Sequence, residues 1–106
     1  MILFKTAHIK PVLSGRKTQT RRIWKKPHVR VGSLHKAKTQ MLSKGYFALL
    51  RITGLRTEKL GDITEEDAKA EGGHTVKEFQ QVWRDINGEW DPKIKVCVVE
   101  FEMVKR

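Results

Sequence analysis

An α+β fold, a small β-barrel with two to three short helices packed at one side, is what three features of this sequence predict. Apolar residues recur at the two-residue period of a half-buried strand over 46–53 and again over 94–104. Between these stretches, Thr64 and Thr75 each open a helical pattern and each has a carboxylate three residues on, Asp67 and Glu78. Two adjacent helices are therefore inserted before the last strand. Finally, 106 residues that are 39% apolar supply one modest core under a heavily charged surface, so residues 1–106 are expected to form a single domain.

In chain order, Ile2, Leu3 and Phe4 read as a short buried strand. Ile9, Val12 and Leu13 recur at helical spacing with Pro11 in the first turn, and Gly15 ends that helix. Residues 18–23 are β-branched enough for a strand, with Thr18, Thr20 and Arg22 on one face and Lys17, Gln19 and Arg21 on the other. A basic loop, 24–30, leads to a turn at Val31 and Gly32 and a second strand to about residue 39, then to a hairpin tip over 40–45. The strand over 46–53 places Tyr46, Ala48, Leu50 and Ile52 on one face. Gly54 marks a bulge, after which 55–58 continue or pair with it. The first inserted helix stops at Gly72 and Gly73. The second carries the apolar stripe Val76, Phe79, Trp83 and Ile86 and ends at Asn87-Gly88. In the last strand Cys97, Val99, Phe101 and Met103 face inward, while Ile94, Val96 and Val98 make the other face apolar too, so its first half should be buried on both sides.

Charge is segregated along the chain. Residues 1–44 hold 12 of the 22 Lys and Arg and no Asp or Glu, whereas residues 45–106 hold the other 10 together with all 12 acids. A surface rich in Lys, Arg and Glu for thermal stability would explain the abundance of charge but not its separation by sign. That separation points to a polyanionic partner, RNA or a nucleotide, with an acidic protein as the alternative. The candidate contacts are Arg16, Lys17, Arg21, Arg22, Lys25, Lys26 and Arg30, with Trp24 either stacking a base or closing the barrel end. Trp90 presents the same choice. No apolar run approaches the roughly 18–20 residues of a membrane span. The first residues are charged too early for a secretory signal, and the lone Cys97 cannot form an internal disulfide. A cytoplasmic location is expected, and oligomeric state is left open. His8, His28, His35 and His74 are scattered without zinc-ligand spacing, and no glycine-rich phosphate loop is present, so neither a metal nor a cofactor is expected.

Three positions are candidates for chemistry. Lys17 stands among Arg16, Arg21 and Arg22, and cationic neighbours together with burial lower a lysine toward the range of a base. Thr20 is a nucleophile only if such a base reaches it. In a straight strand positions 17 and 20 face opposite ways, so they converge only if Lys17 lies in the turn after Gly15. Otherwise Lys17 is a phosphate contact and Thr20 a β-former. Glu71 falls in the last turn of its helix, where the dipole opposes a negative charge, which suits a proton donor; it equally suits a solvated helix former.

The segment Val12 to Arg22, with Gly15, Lys17 and Thr20, resembles part of a known family. So do Leu60-Gly61-Asp62-Ile63-Thr64 leading to Ala68-Lys69-Ala70-Glu71-Gly72, the helix with Phe79 and Trp83, and the final Val98-Val99-Glu100-Phe101. Together and in this order they are similar to an ASCH domain, over nearly the whole chain, and most similar to small stand-alone archaeal members. The resemblance implies a PUA-like barrel with a cleft between barrel and helices, and RNA binding. For certain small bacterial members it implies hydrolysis of N4-acetylcytidine to cytidine and acetate; other members are reported as ribonucleases. The catalytic lysine, threonine and glutamate of that hydrolysis fall on Lys17, Thr20 and Glu71, as base, nucleophile and proton-handling partner. The basic stretch 24–30 departs from the family pattern.

Overall fold

The computed structural model describes residues 1–104. Strand β1 (Ile2–Leu3) is followed by a 3-10 turn (Thr6–His8) that runs into helix α1 (Ile9–Leu13), then β2 (Gln19–Arg22), β3 (Leu34–Lys38) and β4 (Ala48–Lys59). A second 3-10 turn (Leu60–Asp62), α2 (Glu65–Ala70), α3 (Val76–Asn87) and β5 (Lys95–Met103) complete the order. The strands form one sheet in the order β1-β3-β4-β5-β2, parallel between β1 and β3 and antiparallel elsewhere. The sheet curls into a half-barrel with the three helices around it, the α+β architecture expected of a PUA-like domain.

Segments 46–53 and 55–58 are a single bent strand. Ile52 pairs with Phe101 and Gly54 with Glu100, which leaves Thr53 as the extra residue of a bulge. A Cβ on Gly54 would stand 3.0 Å from the Glu100 carboxylate, so the small residue belongs at this close approach. Pairing with β3 begins at Ala48 opposite Ala37, so Tyr46 lies before the strand and is exposed rather than on its inner face.

β5 is buried on both sides from Val96 to Val99, as its composition predicts. Val99 and Phe101 join Ile2, Phe4, Val12, Leu50 and Ile52 inside the half-barrel. Val96 and Val98 join Leu60, Ile63, Ala68, Phe79 and Trp83 beneath the helices. Met103, expected inward, is well exposed because it occupies the last rung, beyond the barrel cluster. Both helix starts are reciprocal capping boxes: Thr64 and Thr75 accept from the backbone N–H of Asp67 and Glu78, each at 3.1 Å, and those carboxylates accept in return. α3 turns Phe79 and Trp83 onto β5 and leaves Ile86 half-exposed at its end.

Candidate functional site

Lys17 reaches its place through the turn that follows α1. Gly15 adopts φ +81°, a left-handed conformation suited to glycine, and the chain reverses. The Lys17 N–H then donates to the carbonyl of Pro11 at 2.9 Å and the Thr18 N–H to the carbonyl of Ala70 at 2.8 Å. Lys17 pairs with Glu71 in an isolated antiparallel bridge, two residues ahead of β2. Lys17 keeps the side that strand alternation gives it, sharing Glu71 with Arg21, yet Lys17 and Thr20 both border one cavity of about 460 Å³. Glu71 closes α2 from the opposite side. Gly72 and Gly73, at φ +147° and +86°, turn the chain away behind it, and the N–H of Gly73 returns to the carbonyl of Lys69 at 2.6 Å.

Lys17 and Glu71 are each 3% exposed. The Lys17 ammonium donates to Glu71 Oε1 at 3.1 Å, to the Glu71 carbonyl at 2.9 Å and to the Gln19 carbonyl at 3.1 Å. Burial pushes Lys17 below its ordinary range; the carboxylate of Glu71 pulls it back, and Arg22 and Arg21 add to the lowering. The second oxygen of Glu71 accepts from Arg21 NH1 at 3.0 Å. The dipole of the six-residue α2 is thus outweighed at Glu71 by two cations in direct contact.

Arg21 is itself enclosed, its side chain 0% exposed. NH2 pairs with Glu58 at 3.3 Å and Asp67 at 3.2 Å, and NH1 also donates to Gln19 Oε1. Its Nε has no hydrogen-bond partner among the described residues. Gln19 donates in turn to Asp67 at 3.2 Å. The network reaches the surface through Arg56, which contacts Glu58, Asp67 and Glu100 at 3.0, 3.2 and 2.7 Å.

On the other face of β2, Arg22 Nε donates to Thr20 Oγ1 at 3.1 Å while its guanidinium lies 5.1 Å from the Phe4 ring centroid. Thr20 is 4% exposed. His8 borders the cavity too, and its ring nitrogens have no hydrogen-bond partner among the described residues. Burial, then the charges of Lys17, Arg22 and His74, push its imidazole down to about 4, so it is neutral at pH 7. Ile23, Trp24, Val82 and Ile86 supply an apolar wall.

The structure brings Lys17, Thr20 and Glu71 to the lining of one cavity, which Arg21 and Arg22 also border. Arg16, Lys25, Lys26 and Arg30 are exposed and lie outside its lining. Arg21, expected to meet a polyanion, is enclosed and paired with three carboxylates through NH1 and NH2, which reach a phosphate only by breaking those pairs; among the described residues its Nε alone is unpaired. Trp24 packs against the barrel cluster and stacks on His28 with centroids 4.4 Å apart, and it also borders the cavity. Trp90 packs edge-on against Phe79 at 6.3 Å in the helical cluster. Among the described residues, no group of three or more His, Cys, Asp or Glu could hold a metal ion, and no helix is long and apolar enough to cross a membrane.

Sequence reasoning missed His8, and missed Glu58 and Asp67 as partners of Arg21. The Arg21 set had a usable signal: Gln19 and Arg21 alternate on the strand face turned toward the helices, and an arginine there needs carboxylates. His8 had none, because a histidine after a two-residue strand has no local mark of a cavity.

A family model for the ASCH domain matches residues 2–105. The N(4)-acetylcytidine amidohydrolase of Citrobacter koseri is 30% identical over 91 residues, which is 86% of this chain and 84% of that protein. Among solved structures, the ASCH domain of Lactobacillus crispatus superposes with a TM-score of 0.74 at 14% identity, covering 92% of this chain and 70% of that one. The ASCH protein of Zymomonas mobilis gives 0.69 at 12% identity, covering 98% and 68%. The two structures share the fold, and the match over almost every residue decides the family: this chain belongs to the ASCH domain family.

Proposed function

We propose that the chain is an amidohydrolase that removes the acyl group from an N4-acylated cytidine-type nucleoside. The observation that carries this reading is the meeting, at one nucleoside-sized cavity, of a buried lysine, a buried threonine and a buried glutamate from separate elements. The identity with the Citrobacter koseri enzyme supports it.

In this reading neutral Lys17 is the base. A neutral amine keeps two N–H donors, so one of the three contacts of Lys17 lapses and its lone pair turns to the Thr20 hydroxyl. Thr20 Oγ1 attacks the acyl carbonyl as its proton passes to Lys17. The bond between the carbonyl carbon and N4 then breaks, and Lys17 returns the proton to the leaving amine. Water, deprotonated by the same lysine, attacks the acyl-threonine; the ester bond to Thr20 Oγ1 breaks, Lys17 returns the proton to Thr20, and the carboxylic acid set free gives its own proton to solvent. Glu71 keeps Lys17 in place and shares its proton. Arg22, beside Thr20, faces the negative charge that grows on the carbonyl oxygen.

The test is acetate release from N4-acetylcytidine. Lys17→Ala and Glu71→Gln, each checked for a folded circular dichroism spectrum, are expected to lose about 10³-fold or more of kcat/KM, since acid–base groups commonly contribute about 10²–10⁴-fold. Absence of turnover by the unsubstituted protein across several N4-acylated cytidines would remove the reading.

A second reading concerns the surface. Arg16, Lys25, Lys26 and Arg30 are exposed on the acid-free part of the chain, which favours binding of RNA or a nucleotide beside the cavity. Affinity for a single-stranded oligonucleotide should then fall steeply between 50 and 200 mM salt, in the way counterion release requires (roughly −0.7 in log–log slope per phosphate contact). Salt-independent affinity would exclude it.

A further inference from the structure

Arg21 makes no contact that the proposed reaction uses directly, yet it is the most completely enclosed cation of the site. Its position poses a physical question, because Glu71 is shared. Glu71 Oε1 faces Lys17 and Oε2 faces Arg21, at 3.1 and 3.0 Å. A carboxylate that faced Lys17 alone would hold the lysine proton with its full charge and make Lys17 a poor base. A guanidinium on the other oxygen takes up part of that charge and never gives up a proton itself.

The remaining contacts of Arg21 set how far this goes. Glu58 from β4 and Asp67 from α2 pull on NH2, while NH1 turns to Glu71 and Gln19. Arg56 at the surface in turn neutralises part of Glu58 and Asp67. The charged groups around Lys17 are thus Glu71 at the end of α2, Arg21 and Arg22 on β2, and the neutral His8 of the 3-10 turn, with His74 beyond it.

We propose that Arg21 is a positioning and tuning residue: by occupying the second oxygen of Glu71 and anchoring it to Glu58 and Asp67, it weakens the hold of Glu71 on the Lys17 proton and fixes the carboxylate for proton exchange. The role of Lys17 as a base rests on the function proposed above; the effect of Arg21 on Lys17 titration does not. Burial of Lys17 acts in the same direction as Arg22 and Arg21, and without the Arg21 guanidinium only burial and Arg22 are left to oppose the direct Lys17–Glu71 pair.

The experiment measures Lys17 directly, by NMR titration of its ¹³Cε in the resting protein, alongside the pH profile of kcat/KM for N4-acetylcytidine. In Arg21→Gln both the Lys17 titration and the rising limb of the profile should move upward by about one pH unit, the usual scale for loss of a neighbouring like charge. The high-pH plateau should fall by less than tenfold. Glu58→Gln removes a competitor for Arg21 and should move both downward. Should Arg21→Gln fail to fold, the downward shift in Glu58→Gln decides alone. A Lys17 titration that stays put in the folded variants overturns the proposal. Turnover absent but titration shifted would overturn the amidohydrolase reading and leave the role of Arg21 standing.

Discussion

His8 shows how a single side chain ties stability to the same cavity. Its imidazole is pushed from the usual 6.5 to about 4 in the folded protein, first by burial and then by Lys17, Arg22 and His74. Between those two values the unfolded chain takes a proton that the folded one refuses. Stability contributed by this group is therefore full above pH 6.5 and declines as pH falls toward 4. His8→Gln should flatten the loss of denaturant stability between pH 6.5 and 4.5 relative to the unsubstituted protein; an unchanged slope would show that His8 is solvated and ordinary. Glu71 behaves in the opposite way under substitution. Glu71→Gln leaves Lys17 and Arg21 enclosed with less compensation, so a cost of about 3 kcal/mol in unfolding free energy should accompany its kinetic effect. At this scale the sequence singled out Lys17, Thr20 and Glu71 as candidates through residue type and family resemblance, and the three border one cavity. It did not disclose that Lys17 and Glu71 touch, because that contact is made by a turn at Gly15 meeting the end of a helix 54 positions away. Nor could the face opposite Thr20 reveal the depth to which Arg21 is enclosed, since a strand of four residues carries too little pattern.

Elements were more legible, since each depends on short-range rules. Two capping boxes placed α2 and α3, glycine placed the end of α1, and alternation placed β5 to within a residue or two at each end. The joint between β4 and α2 was less legible. There Leu60 N–H and Gly61 N–H donate to the carbonyls of Ile94 and Pro92 at 2.8 and 2.9 Å, which ties the start of the helical layer to the approach to β5. A Cβ on Gly61 would stand 2.6 Å from Pro92 Cβ and 3.1 Å from its carbonyl oxygen, too close for any side chain. Gly61→Ala should destabilise by about 1–3 kcal/mol, as overpacking does, read as a lower urea midpoint with an unchanged slope. A midpoint within error of the unsubstituted protein would mean that this joint yields freely. Nothing local announces the approach, because Gly61 and Pro92 are far apart in the chain and each reads only as a turn residue.

For the molecule as a whole, charge asymmetry was the strongest sequence signal and the least complete guide. It gathered twelve cations into residues 1–44 but could not sort them. Folding does so: Lys17 and Arg21 go inside with carboxylates supplied by the later part of the chain, Arg22 lies between, and Arg16, Lys25, Lys26 and Arg30 stay outside. An apparently uniform basic segment thus divides into an interior set matched by acids from beyond residue 44 and an exterior set open to solvent. The division also explains why the half with net negative charge is not simply an acidic surface: Glu58, Asp67 and Glu71 are spent on the interior. β5 has a further consequence. It is the shared wall of the barrel cluster and the helical cluster, with Val99 and Phe101 on one side and Val96 and Val98 on the other. Neither cluster can be exposed to water through this strand without disturbing the other, so the two layers should open as one cooperative unit. In native-state hydrogen exchange, the amides of β5 should be the slowest in the protein and should share the free energy and denaturant dependence of global unfolding. A lower-energy opening confined to the helical layer would instead reveal two separable units.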